Sequence, residues 1–266
     1  MNDARPTGPL PYGKQSVDDD DVQAVVDVLR SDWLTTGPKV DEFERVFAET
    51  VGAKFGVAVS SGTAALHAAM RATGVGPGDE VIVPAITFAA SANAVVYEGA
   101  TPVFADVLRE TLLVDPSDVE RKITSRTKVI VPVDYAGQPC NYDVLGPLAA
   151  QAGARLVSDG CHALGARLGT RSVGSLADLT AFSFHPVKHI TTGEGGMVVT
   201  NDPKLAGAAR RFRNHGISTE YRERAEQGTW RYDMVELGYN YRISDLQCAL
   251  GLSQLRKLTS WVTRRQ

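Results

Sequence analysis

The stretch Ser183–Gly196, SFHPVKHITTGEGG, lies between two short apolar runs, Leu179–Ser183 and Met197–Thr200. Short apolar runs bounded by Gly, Pro and Thr are typical of buried strands. We therefore predict two strands of one sheet and, between them, a loop that carries Lys188. A lysine in such a loop lies close to the end of a buried strand.

The same kind of apolar run recurs along the chain and alternates with segments of helical periodicity. The further predicted strands are Phe55–Ser60, Glu80–Pro84, Thr101–Ala105, Lys128–Val133 and Arg155–Ser158. The helices predicted between them are Thr63–Thr73, Phe88–Tyr97, Pro116–Ile123 and Tyr142–Ala152. This alternation predicts an α/β fold, with a mostly parallel sheet and helices on both of its faces.

Two leading helices, Val17–Leu29 and Val40–Val51, are predicted before the first strand. The acidic run Asp18–Asp21 is compatible with a metal site, but acids in the first turn of a helix also favour its positive end. We therefore predict that Ser16 or Asp18 caps the first helix, and we predict no metal site.

The last predicted helix begins at Ser244 or Asp245 and runs to Gln266 without a Gly or Pro stop signal. An apolar stripe follows its length and consists of Leu252, Leu255, Leu258 and Val262.

Lys188 is the first candidate for chemistry. A lysine amine that is partly desolvated between buried strands is free to form a Schiff base. Ser183, at the strand end, can offer its hydroxyl to a phosphate group. A loop lysine taken alone is more often a solvated cation, so the interpretation depends on other segments.

The run Arg155–Asp159 ends in an acid, and ligands of parallel sheets collect at the carboxyl ends of the strands. Pyridoxal phosphate (PLP) needs a carboxylate against its ring nitrogen, because the protonated ring is the better electron sink. Asp159 has the position of such a group, although a helix cap or turn is an equal alternative. His162 either lies near the cofactor ring or fills a structural position.

The segment Val57–Leu66 leads from a strand through small residues into a helix. Free N–H groups and hydroxyls at a helix start form a cradle for one phosphate, although an ordinary capped turn has the same sequence. The segment lacks the GxxxxGK[ST] pattern of a P-loop. Phe88 follows another strand, where its ring either stacks on a cofactor or is buried in the core.

The composition indicates a globular protein: 266 residues, 43% of them hydrophobic, with a net charge of −3. Nothing in this charge favours a nucleic-acid or membrane partner. The three cysteines, Cys140, Cys161 and Cys248, are sparse and show no metal spacing, which fits a reducing compartment. Met1–Pro11 lacks the apolar core of a signal peptide, so we expect a cytoplasmic protein.

Several segments together resemble the DegT/DnrJ/EryC1/StrS family of sugar aminotransferases, which are PLP enzymes of fold type I. The resemblance rests on Ser61–Leu66, Ser158–Gly165, Phe182–Lys188 and Gly238–Arg242. Within the family, Asp32–Pro38, Tyr135–Cys140 and Thr191–Gly196 are most similar to the UDP-4-keto-6-deoxy-sugar C4 aminotransferases of pseudaminic acid biosynthesis. Lysine at position 188 favours amino transfer, because dehydratase relatives carry histidine there.

The resemblance implies a role for each candidate residue. Lys188 would form the Schiff base and shuttle a proton, and Asp159 would pair with the ring nitrogen. The other implied cofactor contacts are His162 at the ring hydroxyl, Phe88 on the ring face, Gly62, Thr63 and Ser183 at the phosphate, and Asn240 at the phosphate of a neighbouring subunit. The implied substrate pocket consists of Tyr12, Asp32, Trp33, Leu34, Thr35, Ser61, Ser183 and Asn240.

The resemblance also implies the reaction and the assembly. The enzyme would move an amino group, usually from glutamate, to C4 of a nucleotide-linked 4-keto-6-deoxy sugar, as a homodimer with shared active sites. Two alternatives remain open: another keto-sugar position or an aminocyclitol as substrate, and a shortened, inactive protein that binds PLP or a partner.

Members of the family usually continue into a smaller C-terminal domain. We therefore divide the chain into an N-terminal arm (1–16), a large PLP-binding domain (17–244) and the start of a linking helix (245–266), with the small domain missing. On this division the apolar stripe of the last helix is expected to be exposed and without a partner.

Overall fold

The computed structural model describes residues 13–219 and 228–265. Its strands are β1 Phe55–Val59, β2 Glu80–Pro84, β3 Thr101–Ala105, β4 Thr127–Ile130, β5 Arg155–Asp159, β6 Arg167–Leu168, β7 Arg171–Ser172, β8 Leu179–Ser183 and β9 Gly196–Thr200. Its helices are α1 Asp19–Leu29, α2 Pro38–Thr50, α3 Gly62–Thr73, α4 Ala89–Tyr97, α5 Pro116–Lys122, α6 Tyr142–Gln151, α7 Pro203–Arg213, α8 Asp245–Leu255 and α9 Leu258–Arg265, with a 3₁₀ turn at Tyr135–Gly137.

Seven strands form one sheet in the order β1-β9-β8-β5-β4-β2-β3, and β6 pairs with β7 in a small separate ribbon. From β3 to β8 all neighbours are parallel, whereas β9 runs antiparallel to both β8 and β1. The prediction of a mostly parallel sheet is confirmed. Because β1, β5 and β8 all run in the same direction, their carboxyl ends share one edge of the sheet.

Helices cover both faces of the sheet, as predicted. On one face, α3, α4 and α7 pack on alternate strand residues, for example Leu66 and Phe212 beside Val57 and Val81. On the other face, α2, α8 and α9 enclose an aromatic cluster in which the ring centroids of Phe47 and Phe182 lie 5.2 Å apart. Helix α7 is an addition to the predicted elements, although Asp202, which caps it, and Pro203 give an ordinary helix-start signal.

The acidic run at the start of α1 caps the helix, as predicted. The side chain of Asp18 accepts a hydrogen bond from the Asp21 N–H, and Asp21 reciprocates at the Asp18 N–H. Lys257 forms ion pairs with both carboxylates. The two acids therefore have structural partners that tie α1 to the end of α8.

The prediction of one continuous last helix is wrong, because the chain turns at Arg256–Lys257 and begins a new helix at Leu258. At this turn, Gln254 and Lys257 both reach the buried carboxylate of Asp21. The helix is thus interrupted where it contacts a part of the chain that is distant in sequence. No local stop signal in the sequence indicates this interruption.

The expectation of an exposed apolar stripe is also wrong. Leu255 and Leu258 are buried, with 7% and 5% of their surface exposed. Leu252 and Val262 are partly buried and pack against the same aromatic cluster. The stripe therefore packs against the cluster formed with α2 and the sheet, with Leu255 and Leu258 buried and Leu252 and Val262 partly buried.

Candidate active site

The start of α3 and the end of β8 lie against each other at the carboxyl edge of the sheet. A Cβ atom added at Gly62 would lie 2.7 Å from Cβ of Ser183 and 3.4 Å from Sγ of Cys161. Only glycine allows this approach, which leaves the N–H groups of the first turn of α3 and the Ser183 hydroxyl on one small surface. Thr63 belongs to the same turn, so these residues form a cradle suited to one phosphate.

Ser61 has a defined structural task beside this cradle. Its hydroxyl oxygen accepts a hydrogen bond from the Ala64 N–H at 3.0 Å and caps α3. The capped-turn interpretation of the segment is therefore correct for Ser61, and it does not compete with the cradle, because the cap fixes the direction in which the helix start points.

Lys188 lies half-buried in the turn that follows β8, where its N–H donates to the carbonyl oxygen of His185. With His162 and Val187 it lines a cavity of about 400 Å³. Burial lowers the pKa of His162, and the positive charge of Lys188 lowers it further, so that this ring is neutral at neutral pH.

Asp159 stands at the end of β5 and is almost fully buried, with 6% of its surface exposed. The Ser91 hydroxyl donates a hydrogen bond to its Oδ2 at 2.7 Å, and the Cys161 N–H donates to its Oδ1 at 3.2 Å. These two donors fix the orientation of the carboxylate and stabilise its negative charge.

Asp159, at the end of β5, pairs with Ala181 of the neighbouring strand β8, and the turn after β8 carries Lys188. Burial raises the pKa of the Cys161 thiol, the charge of Asp159 raises it further, and the charge of Lys188 lowers it. The charges of the same two residues also act in opposite directions on the pKa of His162. The acid and the amine thus follow from two neighbouring parallel strands, β5 and β8, at the same edge of the sheet.

Phe88 is the N-cap residue of α4, and 74% of its side chain is exposed. The alternative that Phe88 fills the core is wrong. A large apolar ring is left open to solvent just beyond the carboxyl end of β2, where it can serve as a platform for a flat ligand.

The chain matches the model of the DegT/DnrJ/EryC1/StrS aminotransferase family over residues 15–266. It belongs to this family.

Among its relatives is the spore coat polysaccharide biosynthesis protein SpsC of Bacillus subtilis, 44% identical over 97% of this chain and 66% of SpsC. Two solved structures are also similar. The putative sugar aminotransferase Spr1654 from Streptococcus pneumoniae, in its PMP form, has a TM-score of 0.91 at 37% identity, over 97% of this chain and 70% of Spr1654. PseC of Helicobacter pylori, an aminotransferase involved in the biosynthesis of pseudoaminic acid, has a TM-score of 0.86 at 35% identity, over 94% of this chain and 66% of PseC.

These similarities show that the fold is that of the fold type I aminotransferases. The chain spans about two thirds of the length of SpsC and PseC.

Some of the substrate residues implied by the DegT resemblance do not lie at the cavity that Lys188 lines. Tyr12 lies outside the described residues. The segment 32–35 is exposed and is held at the start of α8, where the Asp245 N–H donates to the Leu34 carbonyl oxygen at 3.0 Å. None of its residues lines the cavity of about 400 Å³ that contains Lys188. Their role in substrate binding stays a prediction.

Asn240 is exposed, and its neighbour Tyr241 accepts a backbone hydrogen bond from the Ser60 N–H at 2.8 Å. The segment of Asn240 therefore runs beside the end of β1. Its predicted contact with a second subunit stays a prediction.

Two residues of the site were not among the site residues predicted from the sequence. Ser91 holds Asp159 across 68 positions of sequence. Asp134, fully buried, donates its backbone N–H to the Asp159 carbonyl oxygen at 3.1 Å. Its carboxylate accepts hydrogen bonds from Tyr142 at 2.9 Å and from Ser158 at 2.9 Å. Neither residue shows a local signal, because each is defined by a partner distant in sequence.

The part of the chain that the structure describes contains no group of His, Cys, Asp and Glu side chains arranged to hold a metal ion. Within residues 13–219 and 228–265, no helix has the length and apolar character required to cross a bilayer.

The titration of Asp134 gives a prediction for stability. Burial raises its pKa from 3.8 to about 6. Between these two pH values the folded protein binds more protons than the unfolded chain, so the free energy of unfolding falls as the pH rises. The Asp134→Asn variant lacks this titration. Relative to the wild type, its free energy of unfolding should rise by up to about 3 kcal/mol between about pH 4 and pH 8.

Urea denaturation of the apoprotein at several pH values measures this difference. Asp143→Asn is the control, because Asp143 lies on the surface in an ion pair with Arg171. A difference between wild type and Asp134→Asn that does not change with pH would contradict the raised pKa.

Proposed function

We propose that this chain binds PLP on Lys188 and transfers an amino group from an amino acid to a nucleotide-linked keto-sugar. The observation that carries the proposal is the buried carboxylate of Asp159, held by Ser91 and Cys161 at the end of the strand next to the one that leads to Lys188. An oriented acid and a half-buried amine at the carboxyl edge of a parallel sheet are what this cofactor requires.

The other residues of the edge fit the cofactor as well. The start of α3 with Gly62 and Ser183 offers an anion cradle, and Phe88 offers an exposed ring. PLP, when bound, supplies an electron sink for the carbon that carries the amino group. The phosphate, the ring nitrogen and the aldehyde each have a suitable protein group: the cradle, Asp159 and Lys188.

The positions of these residues suggest the chemical role of each. With PLP bound, Lys188 Nζ would carry a proton from the α-carbon of the amino donor to the cofactor carbon, and in the second half of the reaction from the cofactor carbon to the acceptor carbon. Asp159 would hold its carboxylate toward the ring nitrogen, in the orientation that the hydrogen bonds from Ser91 and the Cys161 N–H give it. Neutral His162 offers a hydrogen bond without adding a second positive charge beside the amine.

The finer proposal concerns the substrates. We propose glutamate as donor and C4 of a nucleotide-linked 4-keto-6-deoxy sugar as acceptor. Support comes from the similarity to PseC and from the segments 32–38, 135–140 and 191–196.

We also propose a homodimer with shared active sites. Trp230, Met234 and Leu237 are strongly exposed near Asn240, at 87%, 68% and 68%. Such an apolar strip is typical of a subunit interface.

A spectroscopic half-reaction tests the donor and the acceptor separately. The purified chain, loaded with PLP, should show a visible absorbance band that glutamate bleaches. A UDP-linked 4-keto-6-deoxy sugar should then restore the band and yield a 4-amino sugar. Absence of a PLP-dependent band would refute the enzyme function, and preference for a 3-keto sugar would refute the assignment to C4.

A further inference from the structure

The turn between β2 and α4 contains a second hydroxyl beside that of Ser91. Thr87 lies partly buried in this turn, and its Oγ1 is 2.7 Å from Oγ of Ser91 in the first turn of α4. Ser91 is fully buried, and its hydroxyl donates to Oδ2 of Asp159, also at 2.7 Å. The two contacts form a row of hydrogen bonds that leads from the turn to the carboxylate at the end of β5.

The direction of both hydrogen bonds follows from the protons that the groups carry. A serine hydroxyl has a single proton, and an ionised carboxylate can only accept. The Ser91 proton is directed at Asp159, so the contact between the two hydroxyls requires Thr87 to donate. The row therefore runs in one direction, from Thr87 through Ser91 to Asp159.

This direction gives Thr87 an influence on a carboxylate that it does not touch. A hydroxyl that accepts a hydrogen bond becomes a stronger donor, because the bonds of a buried row polarise one another. Ser91 has no exposed surface, so Thr87 is the donor that the structure provides for its oxygen. Loss of the Thr87 hydroxyl would therefore weaken the hydrogen bond from Ser91 to Asp159 while Ser91 itself remained in place.

The same contact closes the start of α4. Phe88 is the N-cap residue of this helix, and its side chain makes no capping hydrogen bond. Thr87 precedes it, and the Ser91 N–H donates to its carbonyl oxygen at 3.1 Å. The contact between the two hydroxyls thus spans the residue whose ring is exposed beyond β2.

We propose that Thr87 is a positioning residue that acts through Ser91 on two contacts of the cofactor ring. It strengthens the hydrogen bond that orients Asp159 toward the ring nitrogen, and it fixes the turn that presents Phe88 to the ring face. This inference rests on the proposed function. In this role Thr87 touches neither the cofactor nor the substrate.

A double-mutant cycle tests whether Thr87 acts through Ser91. Thr87→Val keeps the shape of threonine but lacks the hydroxyl, and in the PLP-loaded protein it should lower kcat about threefold with KM for glutamate nearly unchanged. Thr87→Ser keeps the hydroxyl and should restore kcat. In the Ser91→Ala background, Thr87→Val should lower kcat no further. Thr101→Val, at an exposed position of β3, is the control.

Urea denaturation of the apoprotein repeats the cycle without PLP. Thr87→Val and Ser91→Ala should each lower the free energy of unfolding. The double variant should lose less than the sum of the two single losses, because Ser91→Ala already removes the partner of Thr87. Losses that simply add would show that the two hydroxyls do not form one row, and they would overturn the proposal.

The kinetic outcomes separate this proposal from the proposed function. If glutamate bleaches the visible band but Thr87→Val leaves kcat unchanged, or lowers it equally with and without Ser91, the proposal is wrong and the aminotransferase function stands. A failure of Thr87→Ser to restore kcat has the same meaning. If no band forms with PLP, the proposed function fails and the role of Thr87 at the cofactor fails with it, and coupling in the apoprotein would then report a structural contact alone.

Discussion

Lys188→Ala should lower the rate of amino transfer by about 10⁴-fold or more and should remove the visible absorbance band of bound PLP. Among the described residues, Lys188 is the only lysine that lines the cavity shared with His162. The variant loses both the covalent attachment of the cofactor and the base that moves the proton. Stopped-flow measurement of the glutamate half-reaction and an absorbance spectrum test both losses.

Lys188→Arg separates the amine from its charge. A guanidinium remains protonated in proteins, so it keeps the positive charge but can neither attach the cofactor nor accept a proton. We expect this variant to be as inactive as Lys188→Ala. Lys204→Ala is the control for a lysine outside the site. A visible band that survives in Lys188→Ala would mean that the cofactor is held by another group.

Asp159→Asn should lower kcat by about 10²–10³-fold with a smaller change in KM for glutamate, because the electrostatic stabilisation of developing charge is lost. The amide has nearly the same shape, but it cannot hold a negative charge at the ring nitrogen. The Ser91 hydroxyl and the Cys161 N–H would both face a neutral group in this variant.

Ser91→Ala tests the same charge through its partner. Removal of the hydrogen bond at 2.7 Å should lower kcat about tenfold, less than the loss of the carboxylate itself. Asp143→Asn, at an exposed position, is the matched control. If Asp159→Asn turns over at the wild-type rate with an unchanged spectrum, Asp159 does not face the ring nitrogen.

Several elements were predictable because their signals are local. The bounds of β2, β3 and β8 coincide with the predicted runs, since each is a short apolar segment bounded by turn residues. The cap at Asp18 follows from an acid just before an amphipathic segment. Gly62, Asp159, Ser183 and Lys188 could be proposed together, because each follows or ends a predicted strand and parallel strands bring these ends to one edge.

Other features depend on contacts that no local pattern contains. The turn at Arg256–Lys257 coincides with contacts to Asp21, more than two hundred positions earlier in the chain. Ser91 stands in a segment that gives no reason to pair it with Asp159. A cavity of about 350 Å³ beside the Lys188 loop is lined in part by residues near both ends of the described chain.

The sequence alone therefore determined the alternation of strands and helices, the family resemblance and the candidates for the acid and the amine. Periodicity, caps and turn residues act within a few positions, and they can be recognised without coordinates. Only the tertiary structure decided that Ser91 and Asp134 hold Asp159 by hydrogen bonds, and that the last helix is broken and packs its apolar side against the aromatic cluster. Those outcomes depend on which side chains packing brings together, and packing is a property of the whole chain.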